Sequence, residues 1–219
     1  MNFKTAIVAS VAAAGVAVSA QSCMAIATSS VGVAIIKQVL LGGVTKGLGI
    51  FKNKDSFLQN QLIEMALPSE LKSINNILAK ISPSLVEKEK QYIAQAAAYT
   101  VNIAEPILVE AINGLTANDI ARVGEGISAT QILKEKTASQ LVAAITPKVD
   151  EKLNEYGLVK TLNTALSGNL IGSLLGNSNK TATTGISKLA SEQMVNGLFY
   201  IIKNYEEENA QKLNNIFKK

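Results

Sequence analysis

The chain has 219 residues with a formal net charge of +4, is 47% hydrophobic and 17% charged, and carries no histidine, no tryptophan and a single cysteine. Such a composition is too apolar for disorder and sufficient for a buried core. Lacking imidazole and paired thiols, the chain cannot build a His-based triad, a Cys/His dyad, a His/Cys zinc site, a thiolate-held cluster or an internal disulfide.

Residues 1–22 read as an export signal, with Lys4 as the basic n-region, AIVASVAAAGVAV as the apolar h-region and Val18-Ser19-Ala20 as a small-residue cleavage site. Two cleavages fit. Cutting after Ala20 leaves Gln21 first, whereas A-Q-S-C at 20–23 resembles a loose bacterial lipobox that would make Cys23 the lipid-attachment residue. Ala20 stands where such boxes usually carry a larger aliphatic. An uncleaved span is a third reading, since no charge occurs between Lys4 and Lys37, but Ser19, Gln21, Ser22, Thr28, Ser29 and Ser30 interrupt the apolar run. A lone exported thiol favours the anchor, because acylation consumes it.

From Val31 onward apolar residues recur at helical spacing and no alternating run is long enough for a strand. The expected class is all-α: a bundle of about 6–8 helices with kinked long members, spanning 35–219 after a tether at 23–34. A first helix covers Val31 to Ile50, weakened by Gly42, Gly43, Gly47 and Gly49. Asn53 to Asn60 forms a turn and short helix. Leu67-Pro68-Ser69 then precedes a helix carrying Leu71, Ile74, Ile77, Leu78 and Ile81. Ser82 caps the next helix with Pro83 at its first position, and its stripe runs Leu85, Tyr92, Ile93, Ala96, Ala97, Thr100, Ile103, Ala104. Pro106 predicts a kink or break before Ile107 to Ile112 resume the pattern.

Thr116 and Asp119 have capping-box spacing and open a short helix that stops at Gly124 and Gly126. Ser128 caps a long helix through Ile132, Leu133, Leu141 and Ile145, with a bend at Pro147, and 158–166 add a short one. A Gly/Asn/Ser/Thr-rich loop is expected at 167–185. The last helix puts Ile186, Leu189, Ala190, Met194, Gly197, Leu198, Ile201, Ile202 and Tyr205 on one face, with Gly197 marking a close helix approach.

SFLQNQLIEMALPSEL (56–71), EAINGLTANDI (110–120), GISATQILKEKTASQL (126–141), TPKVDEKLNEYG (146–157) and NGLFYIIKNYEEE (196–208), in that order, resemble the bacterial family called domain of unknown function 4197. The likeness covers about residues 35–217, and the closing ENAQKLNNIFKK is shorter than that family's usual tail. It implies an exported, helical protein, often a lipoprotein, and no mechanism.

The chemistry-bearing motifs are sparse. GGVTKGLG (42–49) and GNSNKT (176–181) lack a glycine directly before Lys-Ser/Thr and follow no strand, so they are not phosphate loops. Glu206-Glu207-Glu208 reads as a solvated face, and Asp119 with Arg122 as a surface pair. Arg122, the sole arginine, alternatively grips an anion beside Gly126. Thr130, Lys134 and Thr137 share a helix face that, with Arg122 and Gly126, forms a candidate polar-ligand surface; solvated or locally bonded side chains are the plainer reading. Tyr92, Tyr99, Phe199 and Tyr200 read as core and boundary aromatics. No catalytic, cofactor or metal residue is expected, and without an arginine-rich face no nucleic acid partner.

The expected function is a non-enzymatic binding or envelope-structural lipoprotein of the periplasm, with a membrane reached through Cys23 and an undetermined protein or lipid partner. Carriage of an apolar ligand is one alternative. An enzyme using Asp, Glu and Lys is the other, for which a pocket with converging carboxylates and lysine is the discriminating feature.

Overall fold

A computed structural model describes residues 30–165, 182–211 and 213. The expected signal, Cys23 and the expected tether up to residue 29 lie outside these residues, as does most of the expected loop at 167–185; residues 30–34, also expected as tether, are instead the start of the first described helix. The elements are α1 (Ser30–Lys52), α2 (Lys54–Leu58), α3 (Gln61–Met65), α4 (Ser69–Ile81), α5 (Pro83–Asn113), α6 (Ala117–Gly124), α7 (Ala129–Glu155), α8 (Leu158–Ala165) and α9 (Ala182–Glu208), with no strand among the described residues. The all-α reading therefore stands, and the last helix begins within the range expected to be loop.

The long helices α1, α5, α7 and α9 pack on one another around a continuous core that includes Ile36, Leu40, Leu71, Ile74, Leu108, Ile112, Leu133, Leu141, Met194 and Ile202. Each fully buried Leu or Ile is worth about 1.5–3 kcal/mol relative to exposure, which outweighs the weak propensity of the glycines in α1. By length and composition α1 could cross a membrane. In this fold, though, its Ile36, Leu40, Val44 and Leu48 are core residues. Its glycines allow tight packing on α9: a Cβ at Gly43 would lie 3.1–3.3 Å from the side chain and backbone of Ile202, and one at Gly42 2.6–2.8 Å from the Tyr205 ring. Gly197 of α9 lets α3 approach, since its Cβ would meet Ile63 at 3.1 Å.

Neither internal proline breaks its helix: α5 runs through Pro106 and α7 through Pro147. Both prolines are exposed, as are Asn102 and Ala143 four residues earlier, so water can take the carbonyls that lose a partner. The cap signals hold in part. Thr116 and Asp119 form the reciprocal box, with Thr116 N–H donating to Asp119 Oδ2 at 2.8 Å and Asp119 N–H to Thr116 Oγ1 at 3.3 Å. Ser128 Oγ accepts from Gln131 N–H at 3.1 Å. Ser82 occupies the cap position of α5 but turns its hydroxyl to Ser84 Oγ, 2.9 Å away, and makes no side-chain cap bond.

Two surface expectations need correcting. Glu206 is buried and caps α7 through Ala129 and Thr130; only Glu207 and Glu208 behave as a solvated face, paired with Lys203 and Lys46. Asp119 and Arg122 do not pair. Arg122 bonds Glu135 at 2.8 Å and Asp119 bonds Lys136 at 3.0 Å, because α7 lies within reach of α6 and offers both partners across the helix pair. Burial pushes the Asp119 pKa up, but Thr116 and Lys136 outweigh it and hold the carboxyl below its ordinary value.

Candidate functional site

Where α2, α3, α4, α5 and α9 meet, the core contains three polar side chains. Asn75 of α4, Glu89 of α5 and Gln193 of α9 sit on the apolar stripes of their helices, four residues from Leu71, Ile93 and Leu189 respectively, so folding carries them inward with the hydrophobes. Glu89 is 0% exposed, Asn75 and Gln193 8% each.

These side chains line a cavity of about 80 Å³ together with Phe57, Leu58, Ile63, Leu67 and Ile93. Its wall from α3 is fixed by Asn60, whose side chain accepts the N–H groups of Leu62 and Ile63 at 3.0 and 3.3 Å and so starts that short helix. At its edge Lys90 and Glu64 stand 4.0 Å apart, both well exposed. A pair in that setting contributes little to stability.

The hydrogen bonding inside the cavity is one-sided. Gln193 Nε2 donates to the Ile63 carbonyl at 3.3 Å, which directs its oxygen elsewhere. Asn75 Oδ1, both Glu89 carboxyl oxygens and Gln193 Oε1 are buried and have no well-formed hydrogen bond among the described residues, although the Asn75 amide lies near enough to Glu89 to pull on its carboxyl. The two amide oxygens and the ionised carboxylate only accept; a protonated Glu89 adds one O–H donor. Buried acceptors without partners cost about 1–3 kcal/mol each, so such a cluster calls for an occupant that donates. Burial raises the Glu89 pKa to about 7 against the smaller opposing pulls of the Asn75 amide and the Lys90 ammonium. Near neutral pH the cavity therefore alternates between holding a proton and holding a negative charge.

One carboxylate and two amides fall short of the six to eight oxygens calcium prefers. Among the described residues no group of three His, Cys, Asp or Glu side chains is placed to hold a metal.

The residues singled out in sequence lie elsewhere. Thr130 and Thr137 are buried, Thr137 Oγ1 donating to the Leu133 carbonyl at 2.7 Å, and Lys134 is half-buried. Gly126, at φ 97°, lines a separate depression with Ser128 and Glu206, while Arg122 is engaged with Glu135. The structure thus does not gather these five into one open surface. Among the aromatics, Tyr92 stacks on Tyr156 with centroids 5.0 Å apart and Tyr99 sits under the Lys152 ammonium at 4.5 Å.

What sequence reasoning missed is Glu89. It sits in VEKEKQ, where four of six residues are charged, and that run disguises its place on the stripe between Leu85 and Ile93. A carboxylate in phase with hydrophobes on both sides is the signal that could have found it.

A family model described as a protein of unknown function, DUF4197, matches residues 27–215, and the chain belongs to that family. No curated protein and no solved structure matches it.

Proposed function

We propose that this DUF4197 protein is a non-enzymatic binding protein of the bacterial envelope. Its first 22 residues direct export, Cys23 anchors it to a membrane by acylation, and the Glu89 cavity takes a small ligand or the small end of a larger one. The observation that supports binding is the group of four buried acceptor oxygens around that cavity, since a fold gains no stability from leaving them unpaired. At about 80 Å³ the space suits a few water-sized groups and not an acyl chain, which argues against lipid carriage at this position.

The test is native mass spectrometry of the intact protein from envelope fractions, comparing wild type with Glu89→Gln. A small adduct present in the first and absent in the second is expected; identical clean spectra would reject binding here. Fatty-acid labelling that marks wild type and spares Cys23→Ala tests the anchor separately.

A second reading rests on the same carboxyl. A Glu titrating near 7 beside a rim lysine is suited to general acid–base chemistry. The cavity has room for a few water-sized groups, so such an enzyme would act on a small substituent.

A further inference from the structure

Resting on the binding reading, the geometry points to a compact ammonium group, that of a primary amine, as the cavity's ligand, held by Glu89, Asn75 and Gln193 and taken up in exchange for the Glu89 proton. Three features select it. The unpartnered atoms are all oxygens, and a primary ammonium is all donor, with three N–H bonds to distribute among them. An anion or a ligand rich in acceptors would add to the imbalance, because the Gln193 amide already donates to Ile63. A quaternary ammonium carries no N–H donor and so leaves the same oxygens unpartnered.

The charge balance supports a monovalent cation. Glu89 supplies one negative charge inside, and the charged groups facing it are Lys90 beside it on α5 and Glu64 on α3; α2, α4 and α9 present Phe57, Leu58, Asn75 and Gln193, which carry none. A divalent ion would remain undercompensated as well as undercoordinated. In the exchange, the neutral Glu89 carboxyl loses its proton to solvent as R–NH3⁺ enters, giving a carboxylate–ammonium pair and one free proton. Since empty Glu89 titrates at about 7, uptake weakens as pH falls below that value.

Calorimetric titration of the purified full chain with methylammonium chloride, in buffers neutralised with tetramethylammonium hydroxide, tests this. Binding is expected at pH 8 and about tenfold weaker at pH 6, with close to one proton released per ligand at the lower pH. Tetramethylammonium and potassium chloride should give no comparable heat. Glu89→Gln, whose fold is checked by circular dichroism, should abolish binding, and Lys90→Gln should tighten it by removing a like charge from the rim. Absence of methylammonium binding at pH 8 would overturn the inference. Equal binding by potassium, or a pH-independent affinity, would overturn it too. A neutral adduct lost in Glu89→Gln by mass spectrometry would leave the binding reading standing and reject the amine.

Discussion

Glu206 near the end of α9 accepts the backbone N–H of Ala129 at the start of α7, 2.8 Å from Oε1, across 77 residues of sequence. Its other oxygen takes the Thr130 N–H at 2.9 Å. The N-terminus of α7 is therefore capped twice, locally by Ser128 and remotely by a buried carboxylate placed where the helix dipole favours negative charge. Glu206→Ala should destabilise the protein by about 3 kcal/mol, because two charge-assisted bonds are lost and two buried donors are orphaned. Glu207→Ala, on the exposed side of the same turn, should stay within about 0.5 kcal/mol. Urea unfolding of both variants checks the contrast, and equal losses would contradict it.

The buried Glu89 makes stability depend on pH in an unusual direction. Its folded pKa, about 7, is above the ordinary 4.5, so between these values the folded state holds a proton that the unfolded state has released. Stability from this group is complete below 4.5 and falls as pH rises towards 7, by roughly 3 kcal/mol in all. Glu89→Gln should remove that slope. Denaturant midpoints measured from pH 4.5 to 8 on both proteins provide the comparison; a wild-type curve that climbs through this window in step with the variant would refute the assignment.

Two glycines of α1 should respond oppositely to alanine. At Gly43 a methyl would press on the Ile202 backbone, which cannot rotate away, and a loss of about 1–3 kcal/mol is expected. At Gly49 a methyl meets nothing within 4 Å, so the helix should gain about 0.5–1 kcal/mol. Thermal melts of Gly43→Ala and Gly49→Ala that move the same way would contradict the packing described.

Pro106 interrupts the hydrogen-bond ladder of an otherwise continuous α5 on its exposed side. Pro106→Ala restores the N–H that can reach the Asn102 carbonyl and should stabilise the fold by about 1–3 kcal/mol. A lower unfolding midpoint for the variant would show that the proline shapes a bend the core requires.

The helices were legible because their stabilising stripes repeat every three to four residues, and α6 because Thr116 and Asp119 announce its start. α3 was not: five residues carry too little period, and its existence depends on Asn60 and on Gly197 of α9. Of the two outcomes expected at Pro106, a kink or a break, the break does not occur, because solvent is available to replace the lost bond. Glu206 was misread and Glu89 overlooked for a shared reason. Each lies among charged neighbours, and its burial is decided by helices distant in sequence; only its phase with Ile202 or with Leu85 and Ile93 hints at the inward side.

The seating of α1 against α9 has a consequence for biogenesis. Helix α1 meets α9, one of its main packing partners, only after nearly the whole polypeptide has left the ribosome. A nascent chain ending before residue 182 leaves the ridge of Ile36, Leu40, Val44 and Leu48 partly bare, a surface that chaperones recognise. Closure between α1 and α9 is a long-range event, so it comes late and keeps the chain open in the meantime.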